Sequence, residues 1–357
     1  MTEEYQIAVI PGDGIGTEVV PAARRVLDLA GARRGFKFDW YDYEWGCEYF
    51  VRTGRMMPVD GLEVLRRYDS IFLGAVGYPG VPDHVSLWGL LIPIRRTFEQ
   101  YINLRPIRLL PGIESPLRHV AEGSIDFVCV RENNEGEYSE IGGRVHQGTP
   151  REIAIQDAVF TRHGVERCIR YALELARGRE RKLVSATKSN GIIHTMPFWD
   201  EVCRDQQQDY PDVGVQQIHI DALAAMVVLH PQELDVVVAS NLFGDILTDL
   251  GAAVVGSIGM APSANLNPER RHPSMFEPVH GSAPDIAGTG TANPIGQVWA
   301  GAMMLEHLGQ PEAADDVMRA VEHVLASTDI RTRDLGGTSS TEECTDAMLA
   351  ALDSQAL

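Results

Sequence analysis

The sequence predicts an α/β protein built around a mostly parallel sheet. Short apolar runs of strand length recur along the chain, most of them are followed by helical periodicity, and they lack the polar–apolar alternation of half-exposed strands. With 357 residues, 44% of them hydrophobic, the chain can form two domains, or one large domain split by an insertion.

The first predicted elements are a strand at 6–10, a glycine-rich turn at 11–16 and a helix over 17–30. Further strands are expected at 70–73, 125–130, 182–185, 215–220 and 234–239, and three closing helices at 294–307, 311–327 and 341–351. Gly and Pro are dense from 251 to 294, which predicts long loops there. The turn reads Gly12-Asp-Gly-Ile-Gly16 and does not match the Gly-x-Gly-x-x-Gly pattern of a Rossmann dinucleotide site, so a simple strand-to-helix turn is favoured.

Composition excludes several classes of function. The net charge of -19 argues against binding to nucleic acid or to an anionic membrane. No apolar run is long enough to cross a membrane, and the first residues lack the basic and apolar parts of a signal peptide, so we expect a cytoplasmic protein. The five cysteines are scattered and never form a Cys-x-x-Cys pair, which predicts reduced thiols.

Two carboxylates, Asp245 and Asp249, stand four apart where a buried-type strand passes into a helix. They should share one helix face, with Cβ atoms roughly 5–6 Å apart, and no Lys or Arg lies between residues 241 and 267 to compensate them. A divalent cation such as Mg²⁺ or Mn²⁺ would do so, and Asp221 ends another strand as a third carboxylate. The alternative is an exposed acidic face near a helix start.

Several cationic and hydrogen-bonding residues also follow predicted strands. Lys188 could bind an anion, act as a general base or be a solvated surface group, and Tyr138 is by itself more typical of packing. Arg95, Arg105 and Arg131 would specify a diacid if they converged, although a single arginine is usually a surface charge.

Taken together, seven motifs resemble the β-decarboxylating dehydrogenases, the family of isopropylmalate, isocitrate and tartrate/D-malate dehydrogenases. In chain order the motifs are Gly12-Asp-Gly-Ile-Gly16, Asn103-Leu-Arg-Pro106, Arg131-Glu-Asn-Asn-Glu-Gly-Glu-Tyr138, Lys188-Ser-Asn190, Asp221-Ala, Ser240-Asn-Leu-Phe-Gly-Asp245 and Glu277-Pro-Val-His-Gly-Ser-Ala-Pro-Asp285. They fall in the family's order from residue 6 to about residue 300.

The resemblance implies an isopropylmalate dehydrogenase-like, doubly wound α/β fold that is not a Rossmann fold. It also implies a cofactor-binding domain formed by residues 1–105 and 258–357. Residues 106–257 would form a domain for metal, substrate and the dimer interface. The protein would be a homodimer whose active sites are completed by Lys188 and Asp221 of the partner subunit.

By the same resemblance, Arg95, Arg105 and Arg131 bind the substrate carboxylates, and Asp221, Asp245 and Asp249 hold Mg²⁺ or Mn²⁺. A neutral Lys188 would accept the 2-hydroxyl proton as hydride leaves C2 for NAD⁺. Loss of CO₂ from the resulting 2-oxo acid gives an enolate, to which Tyr138 would return a proton. Some members also use a monovalent cation, and the sequence leaves that requirement open.

The implied cofactor is NAD, bound by a segment that contains six of the family's cofactor positions: His280, Gly281, Ser282, Ala283, Asp285 and Asn293. A carboxylate at Asp285 can accept a hydrogen bond from a ribose 2'-hydroxyl and would repel a 2'-phosphate, which favours NAD over NADP. Thr289 departs from the long residue that many relatives have in this loop, and its effect on affinity is open.

The substrate is narrowed by the segment before Arg95. Isocitrate enzymes have Ser and Asn six and four residues before this arginine, where this chain has Gly89 and Leu91, so isocitrate is disfavoured. Segments 45–47, 54–58 and 81–95 resemble the tartrate/D-malate branch, which implies oxidative decarboxylation of D-malate to pyruvate, oxidation of tartrate, or both. The alternatives are a 3-isopropylmalate dehydrogenase and, in a different class, a metal-dependent hydroxy-acid lyase or binding protein without redox chemistry.

Overall fold

The computed structural model describes residues 3–118 and 120–354, which fold into two compact units. The first unit is formed by residues up to 100, by 108–125 and by the chain from 252 onward, and the second by 101–107 and 126–251. The predicted domains were divided after residues 105 and 257, whereas the compact units divide after 100 and 251 and the segment 108–125 returns to the first unit. The roles assigned to the two domains stay predictions.

The strands, numbered in chain order, are β1 (Glu3–Gly12), β2 (Phe36–Asp42), β3 (Ser70–Ala75), β4 (Ile102–Arg108), β5 (Asp126–Glu132), β6 (Gly142–Val145), β7 (Ile153–Gln156), β8 (Lys182–Thr187), β9 (Gly214–His219), β10 (Val236–Ala239), β11 (Pro262–Leu266) and β12 (Ser274–Pro278). The α-helices are α1 (Gly16–Arg34), α2 (Cys47–Thr53), α3 (Gly61–Leu65), α4 (Asp83–Ser86), α5 (Ile92–Thr97), α6 (Arg162–Arg177), α7 (Thr195–Gln207), α8 (Ile220–Leu229), α9 (Asn241–Val254), α10 (Ile295–His307), α11 (Pro311–Ser327) and α12 (Thr341–Ser354). A π-helical turn, Leu87–Leu91, joins α4 to α5.

The sheet of the first unit has the strand order β2-β1-β3-β12-β11. β1 pairs in parallel with β2 and β3, β3 pairs in parallel with β12, and β11 runs antiparallel to β12. Every residue of β3 is buried, as expected for a strand covered on both faces, and the helices α1, α10, α11 and α12 pack against one another in the same unit.

The sheet of the second unit has the order β4-β5-β10-β8-β9, in which the pairs β5–β10, β10–β8 and β8–β9 are parallel. The carboxyl ends of these parallel strands therefore lie along one edge. A separate antiparallel hairpin, β6–β7, has all of its residues exposed.

The predicted fold class is confirmed, and the elements predicted from the sequence agree with the structure to within a few residues at most boundaries. The expectation of long loops from 251 to 294 is wrong in part, because β11 and β12 lie there and are completely buried. Buried polar residues such as Ser263 and Asn265 interrupt the apolar pattern of these strands, so the periodicity of the sequence did not predict them. Among the described residues, no helix combines the length and hydropathy that a membrane span requires.

Candidate active site

Asp245 and Asp249 lie one turn apart on α9, which begins directly after β10. Both carboxylates face the Arg105 side chain of β4, whose Nη1 is 3.3 Å from Asp245 Oδ1 and 3.7 Å from Asp249 Oδ1. The same Nη1 donates to Thr248 Oγ1 at 2.6 Å, which holds the guanidinium against the helix. The predicted sharing of one helix face is therefore present in the structure.

Arg131, near the carboxyl end of β5, is the second cation at this helix. Its Nη1 donates to Asp245 Oδ1, while its Nε and Nη2 donate to Asn241 Oδ1 at 3.0 and 2.7 Å. Its side chain is 5% exposed and packs against Gly244, where an added Cβ would come within 2.7 Å of it. The Asn241 amide and the absence of a side chain at Gly244 thus set the direction of this guanidinium.

The two arginines supply positive charge that the sequence around Asp245 and Asp249 lacks. No cation lies near Asp245 along the chain, but strands distant in sequence supply two. Even so, burial raises the pKa of Asp249, Arg105 opposes that rise, and the neighbouring charge of Asp245 adds to it. The carboxylate oxygens are hard donors suited to Mg²⁺ or Mn²⁺, and the Asp249 side chain is 58% exposed, so the residues present fit such an ion.

Tyr138 lies in the loop after β5 and reaches the same carboxylate. Its hydroxyl donates to Asp245 Oδ2 at 3.0 Å, and the Arg131 guanidinium lies 5.7 Å from the centre of its ring. A proton-carrying hydroxyl, two guanidinium groups and two carboxylates are therefore gathered at one end of the second unit's sheet.

Lys188 and Asp221 form a second group at the same sheet edge, following β8 and at the start of α8 respectively. Lys188 Nζ donates to Asp221 Oδ1 at 2.7 Å, and this hydrogen bond is the main cause of the lowered pKa of Asp221. Among the described residues, no group of three or more His, Cys, Asp or Glu side chains is placed to hold a metal ion. Asp221 is thus joined to Lys188, whereas Asp245 is joined to Arg105, Arg131 and Tyr138.

Arg95 belongs to the first unit, on α5, and is 9% exposed. Its Nη2 donates to Glu277 Oε1 at 2.8 Å, and Asn265 Nδ2 donates to the same oxygen at 2.7 Å. Glu277 is therefore a buried partner of Arg95 that the sequence did not indicate.

The segment from His280 to Asp285 follows β12 and packs on the glycine-rich turn after β1. Ile15 N donates to Ser282 O at 2.9 Å, and an added Cβ at Gly14 would lie 2.1 Å from that oxygen. Gly14 also has a positive φ of 55°, so both the close contact and the backbone conformation disfavour a side chain at this position. The turn therefore does more than connect a strand to a helix, because it also packs against the predicted cofactor segment.

His280 is buried, and its pKa is lowered by burial, which favours the neutral form of the ring. Its Nδ1 is 2.9 Å from Gly281 O, while its Nε2 is buried without a hydrogen-bond partner among the described residues. Ala283 has a positive φ of 40°, and Asp285 is exposed. A buried ring nitrogen without a partner and an exposed carboxylate in one short segment fit a ligand with polar groups, such as a nucleotide.

The loop after this segment is fixed by Glu18 of α1. Glu18 Oε1 accepts from Gly288 N at 2.6 Å and its Oε2 accepts from Gly290 N at 2.8 Å. Thr289 donates to Ile286 O at 2.6 Å, so its short side chain is used within the loop.

Asn293 is anchored on both sides. Its Nδ2 donates to Asp334 Oδ2 at 2.9 Å, and its Oδ1 accepts from Ile295 N at 2.9 Å. Asn293 therefore fixes the start of α10 close to the cofactor segment in the chain.

Three glutamates of the motif that ends in Tyr138 were not singled out from the sequence. Glu137 accepts from Ser240 Oγ at 2.8 Å and from Leu242 N at 3.1 Å, so it caps the start of α9. Glu135 accepts from Thr161 N at 2.7 Å ahead of α6. The only sign of these roles in the sequence is the close spacing of the carboxylates, and the same spacing is typical of a solvated acidic loop.

The third, Glu132, is completely buried and accepts from the backbone N–H of Asn134 and Glu135. Burial raises its pKa to about 7, against the lowering effect of these two hydrogen bonds.

Comparison with known proteins identifies the class of enzyme. The family model described as isocitrate/isopropylmalate dehydrogenase matches residues 6–348. The chain is 54% identical over 352 residues to a probable tartrate dehydrogenase/decarboxylase of Bacillus subtilis (strain 168), and 54% identical over 356 residues to D-malate dehydrogenase [decarboxylating] of Escherichia coli (strain K12). Each alignment covers 98% of both chains.

Among solved structures, isocitrate dehydrogenase from Methylococcus capsulatus is 34% identical, with a TM-score of 0.88 over 98% of this chain and 99% of that one. Together with the α/β fold and the arginine–carboxylate cluster, these similarities define a decarboxylating dehydrogenase. The chain belongs to the isocitrate/isopropylmalate dehydrogenase family, whose members generally use NAD(P) and a divalent metal ion.

Proposed function

We propose that the protein catalyses NAD-dependent oxidative decarboxylation of a small (2R)-2-hydroxy diacid, converting D-malate to pyruvate and CO₂, oxidising tartrate, or both. The observation that carries this proposal is the cluster in which Arg105, Arg131 and Tyr138 surround Asp245. The names of the relatives from Bacillus subtilis and Escherichia coli support the substrate class.

The arginines provide the selectivity for a diacid. Arg105 and Arg131 have little exposed surface, and planar guanidinium groups of this kind bind carboxylates through two parallel hydrogen bonds. The family resemblance assigns the same role to Arg95, which donates to Glu277 within the first unit. A monoacid would leave this cationic capacity unused.

A divalent ion at Asp245, Asp249 and Asp221, when bound, would polarise the 2-hydroxyl and later the 2-oxo group of the substrate. With NAD⁺ bound as the hydride acceptor, a neutral Lys188 would accept the hydroxyl proton as C2 is oxidised. The C3–C4 bond would then break with loss of CO₂. Tyr138 returns a proton to C3. The sum for D-malate is malate²⁻ plus NAD⁺ giving pyruvate⁻, CO₂ and NADH, with no net uptake of protons.

NAD is proposed over NADP because Asp285 is exposed and follows the buried His280 within the predicted cofactor segment. Its carboxylate can accept a hydrogen bond from a ribose 2'-hydroxyl and would repel a 2'-phosphate. The proposal also includes a cytoplasmic location and Mg²⁺ or Mn²⁺ as the metal ion.

We also propose that the enzyme is a homodimer with shared active sites. Within one chain, Lys188 is paired with Asp221 while Asp245 belongs to a different network. The second unit exposes large apolar side chains next to both groups, including Ile193 at 68% and Ile246 at 55%. The β6–β7 hairpin is also exposed, and an isolated two-stranded hairpin is marginally stable in water, which favours its burial against a second copy.

The activity is tested by following NADH absorbance and released CO₂ with D-malate, tartrate and 3-isopropylmalate, each with Mn²⁺ or Mg²⁺. We expect NADH with D-malate or tartrate, and kcat/KM values across the three diacids will rank the substrates. No NADH with any of the three, with metal present, would contradict the proposal and leave a lyase or binding protein as the alternative.

Residue roles are tested by Lys188→Ala and Asp245→Ala, each of which should abolish turnover. Lys182→Ala, at the start of the strand that precedes Lys188, is the matched control. Calorimetry should show metal affinity nearly unchanged in Lys188→Ala and lost in Asp245→Ala. Equal metal affinity in Asp245→Ala and the unaltered protein would refute the ligand assignment.

The shared site has a sharper test, because the two inactive variants can be combined in one dimer. A mixed dimer would contain one site with both residues intact and one with neither, so random exchange of subunits should restore about a quarter of full activity. If each site lay within a single chain, the mixture would stay inactive.

A further inference from the structure

A cavity of about 370 Å³ in the first unit lies at the start of β3 and β12, the opposite end of β12 from the segment His280–Asp285. Its lining includes Arg66, Arg270 and Arg271. Its volume is within the range of small-molecule sites, roughly 300–1,000 Å³. None of the residues discussed for the proposed activity lines it.

The cavity is cationic in a chain with a net charge of -19. No ion pair among residues 3–118 and 120–354 involves Arg270 or Arg271. Arg66 has one exposed ion pair, with Glu63 at 3.5 Å, and its Nη1 also lies 3.4 Å from His272 Nδ1. Asp69 is the one carboxylate in the lining, and its Oδ2 accepts from Gln6 N at 2.8 Å. The lining thus contains three exposed arginines and a single carboxylate that already has a partner.

The turn that carries Arg270 and Arg271 is built by a buried amide. Asn267 Oδ1 accepts from Arg271 N at 2.8 Å and from His272 N at 3.3 Å, and Asn267 Nδ2 donates to Glu99 O at 3.1 Å. Arg270 has a φ of 55°, a left-handed conformation that long side chains rarely adopt. The fold therefore holds this turn in a strained shape that directs its cationic residues to the cavity.

Aromatic groups make the remaining wall rigid. The Arg66 guanidinium lies 5.7 Å from the centre of the Phe98 ring, and the same ring packs at 6.2 Å against His272. His307, also in the lining, packs at 5.6 Å against Phe276. Two imidazole rings in the lining therefore provide reporters of occupancy.

We propose that this cavity binds a small polyanion bearing carboxylate or phosphate groups, with Arg66, Arg270 and Arg271 as its partners. Guanidinium groups bind both kinds of anion through paired hydrogen bonds, so the chemistry is shared by the two ligand classes. The site goes beyond the proposed activity and does not depend on it.

The test uses the full chain with citrate and with pyrophosphate as separate probes in titration calorimetry. Arg271→Ala should weaken binding about tenfold or more, because a charge-assisted contact is lost, whereas Arg67→Ala makes the same charge change outside the cavity and should leave it unchanged. The imidazole NMR signals of His272 and His307 should shift on saturation.

Binding of either probe with this pattern supports the site, and the probe that binds identifies the carboxylate or phosphate source. Absence of binding by both, equal weakening in the two variants, or heat without a shift of the His272 and His307 signals would overturn the proposal. Binding at the proposed active site would be insensitive to Arg271→Ala, which keeps the two proposals distinguishable.

Discussion

Replacing the buried Glu132 by Gln should stabilise the protein increasingly as the pH rises. The side chain has no solvent exposure, and its pKa is raised from 4.5 to about 7, mainly by burial. Between these values the folded state binds more protons than the unfolded state, so stability is lost as the pH rises through this window. At about 1.4 kcal/mol per pH unit, the cost of ionising Glu132 reaches about 3 kcal/mol above pH 7.

The substitution isolates that cost because a Gln amide oxygen in the place of Glu132 Oε2 can still accept from Asn134 N and Glu135 N, which donate to Oε2 at 3.1 and 2.8 Å. Urea unfolding at fixed protein concentration, from about pH 5.5 to about pH 8.5, gives the free energy of unfolding of both proteins. The advantage of Glu132→Gln should grow across this range and level off above the folded pKa.

The exposed Glu342 provides the matched control, since Glu342→Gln removes the same charge from the surface of α12. A difference between Glu132→Gln and the unaltered protein that stayed constant with pH would refute the reasoning. A loss of stability that grew with pH would do the same, since it would mean that the ionised carboxylate is the favoured form in the fold.

Two further predictions concern residues that position others. Asn241→Ala removes the two hydrogen bonds that Asn241 accepts from Arg131 and leaves the bond from Arg131 to Asp245. Because each bond to a charged group contributes roughly 1.5–3 kcal/mol, KM for the diacid should rise at least about tenfold in steady-state assays. An unchanged KM would show that Asn241 does not position Arg131 for the substrate. Glu18→Ala removes the acceptor of Gly288 N and Gly290 N and so loosens this loop. The Kd for NAD, measured by fluorescence titration, should rise while metal affinity stays constant. An unchanged Kd would show that the loop does not contribute to cofactor binding.

The regular elements were readable from the sequence where local patterns agreed with burial. The strand before Gly12 and the helix after it are continuous apolar and periodic stretches, and both appear in the structure as β1 and α1. The buried strands β11 and β12 were missed because Pro, Ser and Asn occupy positions that packing and tertiary hydrogen bonds support. The strand propensity of a residue does not include these tertiary contacts, so it cannot predict a strand that depends on them.

The sequence predicted which side chains belong to the candidate site, but not which of them contact one another. That Asp245 and Asp249 share a face follows from helical spacing, whereas their contact with Arg105 depends on the pairing of strands far apart in sequence. The capping of α9 by Glu137 is likewise a long-range contact. Spacing predicts neighbours within an element, and only the fold determines neighbours between elements.

The burial of all five cysteines gives each compact unit its own chemical probe of opening. Cys47 and Cys344 belong to the first unit, and Cys129, Cys168 and Cys203 to the second. Burial raises the pKa of both Cys47 and Cys129 to about 12, so a thiol reagent meets almost no thiolate while the fold is closed. The labelling rate of each thiol, resolved by peptide mass, would therefore report the opening of the two units separately in the unmodified enzyme.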